Sequence, residues 1–187
     1  MNIILFGPPG AGKGTQAKYL VKKLNGLQVS TGNILRDEIK NNTEVGKIIT
    51  NDMRDGKFIS DEIVNKLIEK IISHPNNIEN LIFDGYPRSL SQAKNLESLL
   101  DKTNQKINFV FFLNVDKEII IKRIEKRKII EKRSDDDLKT ILKRYDKYMN
   151  TTRPVLDFYS KKTNFHEIDG SLEIDQITRK INTFINV

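Results

Sequence analysis

Residues 7–15 read Gly7-Pro8-Pro9-Gly10-Ala11-Gly12-Lys13-Gly14-Thr15, and this stretch constrains the fold more than any other in the chain. Its glycines let consecutive backbone N–H groups turn inward without Cβ clashes, which builds a nest for an anion. An apolar run, residues 2–6, precedes it. A helical pattern, residues 13–24, follows, with Ala17, Leu20, Val21 and Leu24 spaced by three and four. A strand, a glycine turn and a helix in that order aim the positive end of the helix at whatever the turn holds. Lys13 sits where an ammonium neutralises β- and γ-phosphates, and Thr15 can offer its hydroxyl to phosphate or magnesium. Gly10, Ala11, Gly12, Lys13, Gly14 and Thr15 are therefore the expected phosphate cradle.

The rest of the chain repeats the alternation that this unit begins. Short apolar runs at residues 27–30, 81–84, 108–114 and 165–168 read as further strands, each bounded by Gly, Asn or Asp. Continuous apolarity, as in residues 109–113, predicts strands buried on both faces. Helical patterns lie between them at residues 61–72, 89–100, 117–126, 135–159 and 173–185, with Ser60 as N-cap of the first. The order predicts an α/β fold: a five-stranded parallel sheet of the P-loop NTPase type, with helices on both faces. Residues 1–187 read as a single domain. One segment breaks the alternation. Residues 31–39 and 44–53 are helical in pattern with no strand between, so a helical insertion is expected over residues 30–59.

Composition narrows the chemistry. The 187 residues contain no cysteine, which excludes disulfides and thiolate metal sites, and two histidines, His74 and His166, with no ligand partner nearby in sequence. No protein-bound zinc is expected. No apolar run approaches the roughly 18–20 residues that span a bilayer, so the expectation is a cytoplasmic protein with no membrane partner. The net charge is +7. Its basic residues are spread along the chain rather than gathered in one block, which favours phosphorylated small molecules over nucleic acid.

Three further motifs accompany the glycine loop. They are Val29-Ser30-Thr31-Gly32-Asn33-Ile34-Leu35-Arg36, Phe83-Asp84-Gly85-Tyr86-Pro87-Arg88, and Arg133-Ser134-Asp135-Asp136 with Arg144 beyond. Taken with the Gly12-Lys13-Gly14-Thr15 variant of the loop, they resemble adenylate kinase, a family of nucleoside monophosphate kinases, in its short-lid form. The resemblance runs over nearly the whole chain. It implies reversible transfer of the terminal phosphoryl group of ATP to AMP, giving two ADP, with Mg2+ accompanying ATP and a monomeric enzyme. Under it, Arg123 packs on the ATP adenine and Arg127 contacts the ATP phosphates. Thr31, Arg36, Lys57, Gly85, Arg88 and Gln92 match acceptor-binding positions, with Gln92 reading the adenine edge of AMP. Arg133 and Arg144 match arginines that embrace the transferring group and also touch AMP. Asp84, with Thr15, would hold magnesium through water. Lys13, Arg88, Arg127, Arg133 and Arg144 are the implied catalytic residues. Residues 128–132 would form the short lid.

The chemistry of the residues agrees. A transferring phosphoryl group spreads negative charge over its oxygens, so catalysis needs positioning and cations more than a general base. Three features depart from the family's usual pattern. Asn33 stands where an aspartate is common, Tyr86 replaces a common phenylalanine, and the lid lacks glycine. A UMP/CMP kinase shares most of these motifs, though Thr31 and Gln92 argue against it. From another class, a P-loop binding module or nucleic-acid-associated ATPase would not need Arg36, Arg88 and Gln92 beside an insertion.

Overall fold

The structure is a computed structural model that describes residues 1–74, 79–131, 138–162 and 164–185. Five strands form one sheet: β1 (Asn2–Phe6), β2 (Leu27–Ser30), β3 (Leu81–Asp84), β4 (Ile107–Asn114) and β5 (Asn164–Asp169). All pairings are parallel, in the order β2-β3-β1-β4-β5. The five expected strands are all present, β4 and β5 slightly longer than their apolar runs.

Parallel strands need crossovers, and helices supply them. Helix α1 (Lys13–Leu24) links β1 to β2. The stretch from β2 to β3 holds α2 (Thr31–Lys40), α3 (Glu44–Arg54) and α4 (Asp61–Ile72). α5 (Leu90–Lys102) leads to β4, and α6 (Lys117–Glu131), α7 (Leu138–Thr151) and α8 (Arg153–Ser160) lead to β5. α9 (Ile174–Phe184) closes the described chain.

The strand period of two decides which core each residue joins. Along β1, Ile4 and Phe6 point to one face and Ile3 and Leu5 to the other. The first face is covered by α4, α5 and α8 through Val64, Ile68, Leu96, Val155 and Tyr159, and Leu35 of α2 and Ile49 of α3 pack there too. The second face is covered by α1, α6 and α9 through Leu20, Ile120, Ile124, Ile177 and Ile181. Each fully buried aliphatic side chain of this kind contributes about 1.5–3 kcal/mol.

Two helices differ from the sequence expectation. The single helix expected over residues 135–159 is two, α7 and α8, with residues 135–137 outside the described part. Pro154 stands in the first turn of α8, where its missing N–H costs nothing, whereas inside a continuous helix it would remove a bond and clash with the preceding turn. Thr152 at the joint turns its Oγ to the Arg88 carbonyl, 3.2 Å away. α6 also runs past the expected residue 126 to Glu131, so residues 128–131 of the expected lid continue a helix and Lys132 lies outside the described residues. Lys, Arg and Glu are good helix formers, and nothing in 126–131 interrupts them.

Candidate active site

The loops at the carboxyl ends of the strands converge on one cavity of about 620 Å³, the usual ligand position in an open parallel sheet. From β1 comes the glycine loop. Gly10 has φ +86°, and a Cβ there would lie 2.9 Å from Ile124 of α6, so only glycine lets the loop pass beneath that helix. Gly12, the N-cap of α1, has φ +95° and nothing within 4 Å of where its Cβ would be. Its missing side chain leaves the N-terminus of α1 open to the cavity.

Lys13 is the first residue of α1. Its ammonium donates to the Gly7 carbonyl at 2.8 Å and the Pro8 carbonyl at 3.0 Å. An ammonium has three N–H donors, so one remains. Burial, opposed by Asp84 and reinforced by Arg88, Arg144 and Arg127, pushes its pKa down to about 8. The neighbours that act on Lys13 are thus the arginines expected to share its site.

From the end of β3 come Asp84, Gly85 and Arg88. Asp84 accepts from Gln28 Nε2 at 3.2 Å and Ser30 Oγ at 3.4 Å, both on β2. Gly85 has φ +76°, and a Cβ there would sit 3.1 Å from Arg88 Nη2 and 3.2 Å from Thr31 Oγ1. The bare backbone is needed because its carbonyl is the anchor for both. Thr31 Oγ1 donates to it at 2.7 Å and Arg88 Nε at 2.8 Å. Arg88 lies over the Phe58 ring, 5.0 Å from its centroid. Burial, with Arg144 next to it, lowers the Arg88 pKa to about 10, so it remains a cation at neutral pH.

Arg36 donates to Asn33 Oδ1 at 2.7 Å across one helical turn. Asn33, where a carboxylate is common, therefore orients Arg36 without neutralising it. Arg123 donates to the carbonyls of Gly170, Ser171 and Leu172 at 2.7, 3.3 and 3.3 Å. These three bonds tie the loop after β5 to α6 at the cavity rim.

Gly10, Ala11, Gly12, Lys13, Gly14, Thr15, Arg36, Asp84, Gly85, Arg88, Arg123, Arg127 and Arg144 all line the one cavity. Lys13, Arg88 and Arg144 also border an adjoining chamber that Phe58 and Tyr148 help to line. Thr31 and Gln92 face a separate crevice of about 20 Å³ that shares Gly85, Arg88 and Phe58 with the chamber. Lys57 is placed elsewhere. Its ammonium is exposed and pairs with Asp52 at 3.0 Å and Asp55 at 3.7 Å. Arg133 lies outside the described residues. Gln28, Ser30 and Thr152 support the site and were not read from the sequence. Polar residues at the cavity end of an otherwise apolar strand were the available signal for the first two.

Among the described residues no histidine lines the cavity, no cluster of His, Asp and Glu could hold a metal ion, and no helix is long and apolar enough to cross a membrane. The arrangement can bind polyanions, and it offers cations rather than a general base to whatever reacts there.

Known proteins share this architecture at the level of sequence. The family model described as Adenylate kinase matches residues 5–164. The adenylate kinase of Pelagibacter ubique (strain HTCC1062) is 50% identical over 213 aligned positions, covering all of both chains. That of Mycoplasma capricolum is 39% identical over 97% of each chain. That of Porphyromonas gingivalis (strain ATCC 33277) is 37% identical over all of this chain and 96% of the relative. The match extends over the glycine loop's helix, the insertion and the arginine-bearing helices together, and on that ground the chain belongs to the adenylate kinase family.

Proposed function

We infer that this protein transfers the terminal phosphoryl group of ATP to AMP, reversibly, giving two ADP. The observation that carries this reading is the pairing of two anion stations across one cavity. The glycine loop with Arg123 and Arg127 makes one. Arg36 and Arg88 make the other, with Thr31 in the adjoining crevice and with Lys13 and Arg144 bordering both the cavity and the chamber beside it. A phosphate oxygen of AMP attacks the γ-phosphorus, and the bond from that phosphorus to the β,γ-bridging oxygen breaks, leaving its electrons on ADP. No proton need be removed from an ionised phosphate. The cations stabilise charge on the transferring oxygens, which is the main demand of such a step.

In this reading ATP lies on Gly10 to Thr15, Arg123 and Arg127. AMP lies on Thr31, Arg36, Gly85, Arg88 and Gln92, and Arg133 and Arg144 close on the group in transit. Residues 30–59 serve as the acceptor insertion and 128–132 as the lid. Lys57 contributes through its backbone beside Phe58 rather than through its paired ammonium. One carboxylate, Asp84, and one hydroxyl, Thr15, suit Mg2+, an ion that keeps several waters and is held largely by substrate phosphates. When bound, it would offset charge on those phosphates. The enzyme works in the cytoplasm as a monomer, with adenine nucleotides as partners and no nucleic acid or membrane.

The acceptor provides the test. A coupled assay should show AMP far ahead of CMP, UMP and GMP. Gln92→Ala should erode that preference more than it slows transfer from a saturated complex, because a buried amide left unpaired by the wrong base costs about 1–3 kcal/mol. Equal use of CMP or UMP by the wild type would overturn the acceptor assignment.

The Lys13 ammonium gives a pH signature. Polyphosphate binding requires it charged, and in the free enzyme it is half-deprotonated near pH 8. Binding therefore takes up a proton above that pH. ATP affinity should fall as pH rises through about 8, approaching tenfold per unit above it. Calorimetry in two buffers of different ionisation enthalpy would detect the uptake. Lys13→Arg, which does not titrate in this range, should lose the uptake. A flat profile in the wild type would remove Lys13 from phosphate contact.

A further inference from the structure

Gln92 is buried at 3% exposure and lines the crevice beside Thr31 and Phe58. Its side-chain amide is held at both ends. Oε1 accepts from the backbone N–H of Arg88 at 2.7 Å, and Nε2 donates to Asp61 Oδ1 at 2.7 Å. Asp61 is itself anchored, since Ser89 Oγ donates to its Oδ2 at 2.5 Å. Ser89 Oγ in turn accepts from the Gln92 backbone N–H at 3.1 Å. The four groups form a closed ring joining the first residue of α4 to the first turn of α5.

This ring removes an ambiguity that a glutamine amide otherwise carries. Its oxygen and nitrogen are nearly the same size, and a half-turn exchanges them. A backbone N–H can only donate, and an ionised carboxylate can only accept. The half-turned amide would set N–H against N–H and oxygen against carboxylate, so one orientation is imposed. What remains on the amide is one N–H and one oxygen lone pair.

The imposed order matters for base choice. Adenine offers an acceptor at N1 beside a donor at N6. Hypoxanthine has almost the same outline with the two reversed, a donor at N1 and an acceptor at O6. A fixed amide matches one of these purines, and an amide free to turn matches both. We propose that Asp61 is a specificity-determining positioning residue, which locks the Gln92 amide so that the acceptor site takes a 6-aminopurine monophosphate and rejects its 6-oxo counterpart. The proposal rests on the reading above that Gln92 faces the acceptor base.

The test compares AMP and IMP as acceptors, with ATP saturating, in wild type, Asp61→Ala, Asp61→Asn and Gln92→Ala. Asp61→Ala should lower the AMP-over-IMP ratio of kcat/KM by about 5- to 150-fold, the range for one buried polar group left unpaired. The change should appear in KM for AMP and in a gain for IMP more than in kcat. Asp61→Asn still presents an oxygen to Nε2 and should restore most of the preference. A merely structural role for Asp61 would lower both acceptors together and leave the ratio unmoved, and that result overturns the proposal. Gln92→Ala separates the two failures. If it leaves the ratio unchanged, the base-reading role of Gln92 falls. If it erodes the ratio while Asp61→Ala does not, only the positioning role falls. Should Asp61→Ala fail to fold, Asp61→Ser carries the same test, because it keeps a polar first-turn residue whose hydroxyl stops short of the amide.

Discussion

Lys13→Ala should lower turnover by about 10³-fold, the loss expected when a preorganised donor to the transferring charge is deleted, or about 4 kcal/mol of barrier. The fold should survive. In the native protein this ammonium is crowded by Arg88, Arg144 and Arg127, and its two hydrogen bonds end on the carbonyls of buried Gly7 and Pro8, of which that of Pro8 still accepts from the Ala11 N–H at 3.1 Å. Removing an ammonium that burial and these arginines hold down to a pKa of about 8 relieves desolvation and repulsion, which offsets the two lost hydrogen bonds, so the melting temperature should stay near the wild-type value. Steady-state kinetics beside a thermal melt checks both halves. Near-normal turnover in the folded variant would remove the glycine loop from the chemistry.

Arg88→Ala should be of similar size but fall on the acceptor. Its guanidinium is aimed by the Gly85 carbonyl and supported on Phe58, so little freedom is lost when it meets a phosphate. Deleting it should lower kcat/KM for AMP by about 10³-fold or more, while KM for ATP changes much less. The deletion leaves no orphan, because Thr31 Oγ1 still donates to the Gly85 carbonyl. Arg88→Lys should recover only a small part, since an ammonium cannot reproduce the planar fork. A loss shared equally by ATP and AMP would show that Arg88 is not an acceptor residue.

The layers of the fold were legible because each rests on a local pattern. Apolar runs bounded by Gly and Asn marked the strands, and three-and-four spacing marked the helices. The α7–α8 break was missed for the same reason. Ile141, Tyr145, Tyr148, Val155 and Tyr159 keep helical spacing straight through it, and only Pro154 gave notice. In the site, the glycine loop could be read from its own physics. The arginines could not, because an arginine on a charged helix looks the same whether it faces solvent or a cavity. Their placement in the sequence reading came from the family resemblance. Lys57 shows the opposite difficulty. Asp52 and Asp55, which take up its ammonium, are ordinary surface residues until the turn after α3 brings them together. Asp61 was invisible as a site residue, since an acid in the first turn of a helix is already explained by the helix dipole. Its bond to Gln92 spans 31 residues, and no local pattern reports that.

The joint between α7 and α8 can be considered as a lever. α7 packs through Ile141 on one face of the sheet, and α8 packs through Val155 and Tyr159 on the other, so the chain crosses over the strand ends at Thr152. Arg144 sits eight residues from that fulcrum, about 12 Å along the helix. A swing of about 10° there carries its Cα roughly 2 Å, enough to make or lose a charge-assisted hydrogen bond. The Thr152 Oγ bond to the Arg88 carbonyl pins that fulcrum to the Arg88 backbone, so the swing of one arginine is referred to the position of the other.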